Sequence, residues 1–94
     1  MFEMSEKTAP ALAKLDALVP ALTALPQSEQ KPVLIEETEA LRRAVAAFHM
    51  EAIRFRMYNV DRLLKMSGDN TAGRQLFDEL RHELESAGFH TGSH

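Results

Sequence analysis

The chain has 94 residues, 45% of them hydrophobic and 27% charged, with a formal net charge of −3 at pH 7. This length allows a single domain, and the composition argues against disorder. The net negative charge excludes a global basic field that would draw the protein to nucleic acid or anionic lipid. The absence of cysteine excludes disulfides, thiolate metal sites and a cysteine nucleophile.

We expect no secretory signal at the start of the sequence and no membrane-spanning segment. Segment 1–7 is polar and lacks the basic start and apolar stretch of a secretory signal. The longest uncharged stretch, Ala17–Ser28, holds two prolines and is too short to span a bilayer. Together with the lack of cysteine, these features predict a cytoplasmic protein without membrane association. We expect one helical domain over residues 1–94, with segments 1–7 and 89–94 as disordered tails.

Residues 8–25 predict the first helix. Thr8 suits the N-cap, and Pro10 falls in the first turn, where proline is tolerated. Apolar side chains recur at helical spacing, at Leu12, Leu15, Leu18, Val19, Leu22 and Leu25. Pro20 lies inside this pattern, and the sequence leaves open whether it kinks or breaks the helix.

Residues 32–66 predict one long central helix. From Val33 to Ser67 the sequence holds no glycine or proline and is rich in strong helix formers. Glutamates near the start, and Arg62 and Lys65 near the end, suit the helix dipole. A continuous helix of this length would be about 50 Å long, which is more than a compact domain of this size can enclose.

Residues 71–87 predict the third helix. The turn Ser67–Thr71 combines C-cap and N-cap residues, and Gly88 is a natural stop. The helix has a single apolar stripe, formed by Leu76, Phe77, Leu80 and Leu84. The expected fold class is therefore all-α, a three-helix antiparallel arrangement in which two shorter helices flank the long one.

On a helical wheel the long helix carries two apolar seams. The first contains Leu34, Leu41, Val45, Phe48, Ala52 and Phe55. The second contains Ile35, Ala46, Met50, Ile53, Met57, Val60 and Leu64. Because the third helix can cover only one seam, the other needs a partner. A second copy is the simplest partner and predicts a helical-bundle homodimer with coiled-coil-like pairing of the long helices. The alternatives are a first helix that reaches further, or another protein.

Three polar side chains, His49, Arg56 and Asn59, fall between or within these seams. Burial of such groups is unfavourable unless they are paired, so we expect acceptors from a neighbouring helix or a second copy. The candidate acceptors are Asp16, Asp78 and Glu85. The three side chains are predicted to set helix register or partner choice, and a ligand pocket is the alternative.

No motif in the sequence specifies a reaction or a cofactor. Glu79 and His82 match the Glu-x-x-His spacing of carboxylate-bridged metal sites, but those sites need the motif twice and it occurs once. His49 is not followed by the Lys-Gly pattern that is typical of a phosphotransfer histidine. We therefore expect no enzymatic activity, no cofactor and no metal ion.

The stretch Arg42–Lys65 holds six basic residues against two acidic ones. Nucleic-acid binding would use such a stretch, but its charges are spread around the predicted helix. The predicted function is a small protein–protein interaction module that acts through a dimeric helical-bundle surface, as an adaptor, a regulator or a subunit. The alternative is a nucleic-acid-binding regulator that uses Arg42–Lys65, and a metal-binding or histidine-phosphotransfer bundle comes third.

Overall fold

Four helices and no strand make up the described part of the computed structural model, which covers residues 3–68 and 71–89. The helices are α1 (Glu3–Thr23), α2 (Gln30–Ala46), α3 (Met50–Met66) and α4 (Thr71–Ser86). Their connections are three to six residues long, which makes consecutive helices antiparallel. α1 packs against α2 and α4, α2 also packs against α3, and the contact between α3 and α4 is the least extensive. The predicted all-α class is confirmed.

α1 is longer than the sequence predicted. It begins at Glu3, inside the segment 1–7 that we expected to be a tail, and the expected N-cap Thr8 is buried within the helix. The helix continues through Pro20, which therefore does not end it. Pro10 and Pro20 are both exposed, so the two prolines face away from the core. Among the described residues, no helix combines the length and the apolarity needed to cross a bilayer.

The expected single helix over residues 32–66 is wrong, because it is divided into α2 and α3 by residues 47–49. The longest extent of the molecule is 41 Å, which is shorter than the roughly 50 Å of a continuous helix. The division is a Schellman motif, which ends α2 with two backbone hydrogen bonds. His49 N donates to Ala44 O, and Phe48 N donates to Val45 O, both at 3.0 Å.

Phe48 is the residue at which the backbone leaves the helix. Its φ is 62°, a left-handed conformation that is unfavourable for a bulky residue by about 1–2 kcal/mol. The ring packs edge-to-face on Phe89, with centroids 4.9 Å apart. Phe89 was expected in a disordered tail but is 2% exposed. Residues 1, 2 and 90–94 of the expected tails, and Asp69 and Asn70 of the expected turn, lie outside the described residues.

The core is formed by the inner faces of all four helices. The largest fully buried side chains are Leu15, Leu18, Leu22, Leu34, Leu41, Val45, Ile53, Met57, Leu64, Phe77, Leu80 and Leu84. Four residues of the predicted second seam, Ile53, Met57, Val60 and Leu64, are each 1% exposed or less. The chain itself therefore covers this part of the seam. The argument that a second copy must cover it no longer holds.

Two substitutions at Phe48 test the left-handed break. Phe48→Gly and Phe48→Ala both remove the ring, but only glycine relaxes the positive φ. We expect the glycine variant to be more stable than the alanine variant by about 1 kcal/mol, which reverses their order in a helix. Urea unfolding followed by circular dichroism measures the difference. Arg43→Gly and Arg43→Ala, at an exposed position inside α2, form the control pair and should show the usual order. Alanine favoured at both positions would contradict the break.

Candidate functional site

Glu37, Arg56 and Asn59 form a polar cluster between α2 and α3. Arg56 Nη1 donates to both carboxylate oxygens of Glu37 at 2.9 Å, and Asn59 Nδ2 donates to Glu37 Oε1 at 3.1 Å. Two of the polar residues that the sequence singled out therefore share one acceptor on a neighbouring helix of the same chain. Glu37 was not among the expected acceptors. Asp16, which was, accepts a hydrogen bond from Arg42 at 2.7 Å.

The cluster holds Glu37 in its ionised form. The Glu37 side chain is 19% exposed. Its burial favours the neutral carboxyl group, but the hydrogen bonds from Arg56 and Asn59 together with the charge of Arg56 outweigh that effect. The pKa of Glu37 therefore lies below its ordinary value of 4.5. An ionised carboxylate on α2 thus holds two side chains of α3.

His49 caps the N-terminus of α3. Its Nδ1 accepts a hydrogen bond from Ala52 N at 3.2 Å, the bond that an N-cap side chain supplies. The next residue, Met50, is 40% exposed. The structure thus brings Arg56 and Asn59 together in the cluster, whereas the side-chain hydrogen bond of His49 is made to the first turn of α3. The other singled-out residues, Ile53, Met57, Val60 and Leu64, are core side chains.

The outer face of α3 carries large apolar side chains that lie in solvent. Phe55 is 58% exposed, Tyr58 is 66% exposed and Met66 is 52% exposed. Exposed charged residues continue the same face at spacings of three and four residues. We define the outer stripe as Glu51, Phe55, Tyr58, Arg62 and Met66. Bulky apolar groups on one exposed helix face are typical of a surface that another molecule covers.

The expected burial of Phe55 on the first seam is wrong. The break at residues 47–49 interrupts the helical wheel, so the seam that is buried in α2 does not continue at the same angle into α3. The Arg56 guanidinium instead lies over the exposed Phe55 ring, with Cζ 5.3 Å from the ring centroid. Because Glu37 anchors Arg56, the polar cluster also orients this ring.

Basic residues lie on the outer stripe and beside it. α3 contains four basic and two acidic residues, although the whole chain is net negative. Lys65 pairs with Asp61 at 3.2 Å. No salt bridge among residues 3–68 and 71–89 engages Arg54 or Arg62, and both are exposed. The outer face of α3 thus combines aromatic side chains with two exposed arginines that form no salt bridge in this part of the chain, although the charge of Arg62 also acts on Glu37.

A second candidate is an open groove of about 690 Å³ along α4, beside Lys14 of α1. Two of its cations are already paired, since Lys14 Nζ lies 3.0 Å from Glu79 and Arg74 Nη2 lies 2.6 Å from Asp61. Glu79, the carboxylate of the Glu-x-x-His spacing, is thus bound to a lysine. Within the described ranges, no group of three or more His, Asp or Glu side chains is placed to hold a metal ion. The outer stripe of α3 is therefore the better candidate.

No protein-family model, curated protein or solved structure matches the chain. The candidate site therefore rests on the geometry and the charges of the chain itself.

Two aspartate substitutions test the orientation of α3. Ile53 is fully buried and Tyr58 is 66% exposed. We expect Ile53→Asp to lower the free energy of unfolding by more than about 4 kcal/mol, because it buries an unpaired carboxylate. Tyr58→Asp should change it by less than about 1 kcal/mol. Thermal unfolding followed by circular dichroism compares the two variants. Similar midpoints would mean that α3 presents a different face to the core.

Acid should weaken the bundle through Glu37. Its pKa is lowered in the folded chain, so the stabilisation is present above the ordinary value of 4.5 and is lost as the pH falls through the folded pKa. Asp61 acts in the same direction: burial raises its pKa, but hydrogen bonds from Arg74 and Lys65 outweigh burial and bring the pKa below 3.8.

Glu37→Gln should therefore lose less stability than the wild type when the pH falls from about 6 to about 3. Urea unfolding midpoints at the two pH values measure the loss. Glu39→Gln, at an exposed position of the same helix, is the matched control. An equal loss in wild type and Glu37→Gln would show that folding does not lower the pKa of this carboxylate.

Proposed function

We propose that the chain is a small helical protein–protein interaction module, an adaptor, a regulator or a subunit, that docks through the outer stripe of α3. The observation that carries this proposal is the 52–66% exposure of three large apolar side chains on that stripe. The proposal includes no catalysis, no cofactor and no metal ion. A cytoplasmic location belongs to it, because the lack of cysteine suits a reducing compartment.

The composition of the stripe supports a protein partner. Tyrosine, phenylalanine, methionine and arginine are enriched in the central parts of protein interfaces, and all four occur on the stripe. Burial of a large apolar side chain by a partner contributes about 2 kcal/mol. Phe55 and Tyr58 are neighbours on the helix surface and can enter one binding site together.

A protein surface is favoured over nucleic acid. Aromatic side chains beside arginines also bind single strands, but Glu51 lies on the stripe and the chain has a net charge of −3. Two arginines of the Arg42–Lys65 stretch are held by carboxylates, since Arg42 bonds to Asp16 and Arg56 bonds to Glu37. This stretch thus has fewer free cations for phosphate than its sequence indicates.

A capture experiment tests the proposal. Three proteins are immobilised: the wild type, a Phe55→Ser/Tyr58→Ser double variant and a Val33→Ser control. A lysate of cells of the organism that naturally produces the protein is passed over each. Val33 is a 45% exposed apolar residue on α2, so the control also removes exposed apolar surface. We expect proteins that the wild type and the control retain and the double variant loses. A purified protein from that set should bind the double variant at least tenfold more weakly than the wild type.

Two results would overturn the proposal. One is a set of retained proteins that the double substitution does not change. The other is binding of a labelled single-stranded oligonucleotide that depends on Arg54 and Arg62 and falls steeply with salt, which would favour the nucleic-acid alternative. Thermal unfolding of the three proteins checks that the substitutions leave the bundle intact.

A further inference from the structure

Four of the five residues of the outer stripe, all except Met66, are placed symmetrically in sequence about one midpoint. Phe55 and Tyr58 lie at equal distances on either side of that point, and so do Glu51 and Arg62 further out. At a rise of 1.5 Å per residue, the two charged ends are about 16 Å apart, with the aromatic pair between them. A face with an acid at one end and a base at the other is complementary to its own reversed copy.

We propose that a second copy of the chain docks on the outer stripe, with the two α3 helices antiparallel around a twofold axis. This inference rests on the proposed function and names its partner. Phe55 then lies level with Tyr58 of the second copy, and Glu51 lies level with Arg62 of the second copy, each contact occurring twice. The four rings form one apolar cluster with an ion pair at either end.

The charges of the stripe favour this occupant over an acidic or a basic partner. Glu51 repels an acidic surface and Arg62 repels a basic one, whereas a reversed second copy presents the opposite charge to each. A parallel pairing would place like charges against each other. Among the described residues, no salt bridge engages Glu51 or Arg62. Arg62 Nη1 donates to Met66 Sδ at 3.8 Å, a weak contact that leaves its other guanidinium nitrogens for a carboxylate of the second copy.

This face differs from the one that the sequence alone suggested for self-association. The seam of Ile53 and Met57 is buried within the chain, while Phe55 and Tyr58 remain in solvent. A single pair of helices forms a contact smaller than a standard protein interface. We therefore expect weak association, with a Kd between about 10 µM and about 1 mM.

Charge reversal at the two ends of the stripe tests the pairing. The wild type, Glu51→Arg, Arg62→Glu and the double reversal are compared by sedimentation equilibrium over the same concentration range. We expect each single reversal to raise the Kd about tenfold, because it replaces two attractive contacts by two repulsive ones. The double reversal should restore the wild-type Kd. An equimolar mixture of the two single variants should also associate, since each supplies the charge that the other lacks.

Glu85→Arg, at an exposed position of α4, is the matched control and should leave the Kd unchanged. Circular dichroism spectra and thermal midpoints verify that all variants are folded. A wild type that stays monomeric at about 1 mM overturns the self-pairing and leaves docking on another protein to the capture experiment. Association that no single reversal weakens, or that neither the mixture nor the double reversal restores, overturns the antiparallel arrangement.

Discussion

The chain reverses direction at Phe48, and every contact between α2 and α3 depends on that reversal. The left-handed conformation is unfavourable by about 1–2 kcal/mol for a residue of this size. The reversal lets α3 bury side chains such as Ile53, Met57 and Leu64, each of which contributes about 2 kcal/mol, and it brings Phe48 onto Phe89. The gain from burial exceeds the backbone strain several-fold. Tertiary packing therefore decides where α2 ends, against a local sequence that favours helix.

Among the described residues, each pair of neighbouring helices is joined by an ion pair between their side chains. These pairs are Asp16–Arg42 for α1 and α2, Glu37–Arg56 for α2 and α3, Asp61–Arg74 for α3 and α4, and Lys14–Glu79 for α1 and α4. Exposed pairs contribute less than about 1 kcal/mol each, so they are a minor source of stability. Leucine-rich faces, however, tolerate shifts along the helix axis, whereas an ion pair joins particular positions. The carboxylates of Glu37 and Asp61 are the least exposed of the four, at 19% and 21%, and both fix α3.

The parts of the fold that the sequence predicts are those with local signals. The helix predicted at residues 71–87 is an example, because its end is marked by a glycine. Gly88, the expected stop, has a φ of 99° just after α4. Phe48 occupies the same backbone conformation after α2 without a glycine to mark it, and His49 is not among the preferred capping residues. The sequence predicts that Arg56 and Asn59 donate to an acceptor on a neighbouring helix, but it does not identify Glu37 as that acceptor. On one continuous helix Glu37 and Arg56 would lie about 28 Å apart and could not make contact. Because residues 32–66 were predicted to form one helix, this contact could not be predicted.

The inner and outer faces of α3 have different roles, and Arg56 makes contacts on both sides of the helix. The inner face supplies core side chains, and the polar cluster on its flank fixes the helix against α2. Arg56, held by Glu37, also lies over Phe55 and so restricts the motion of an exposed ring. A side chain that is already ordered loses less conformational entropy when a partner covers it. The contact that sets the register of the bundle thereby also prepares its outer surface for docking. Substitutions in the polar cluster should therefore alter the mobility of the Phe55 ring on the outer stripe, even though no residue of the cluster belongs to the stripe.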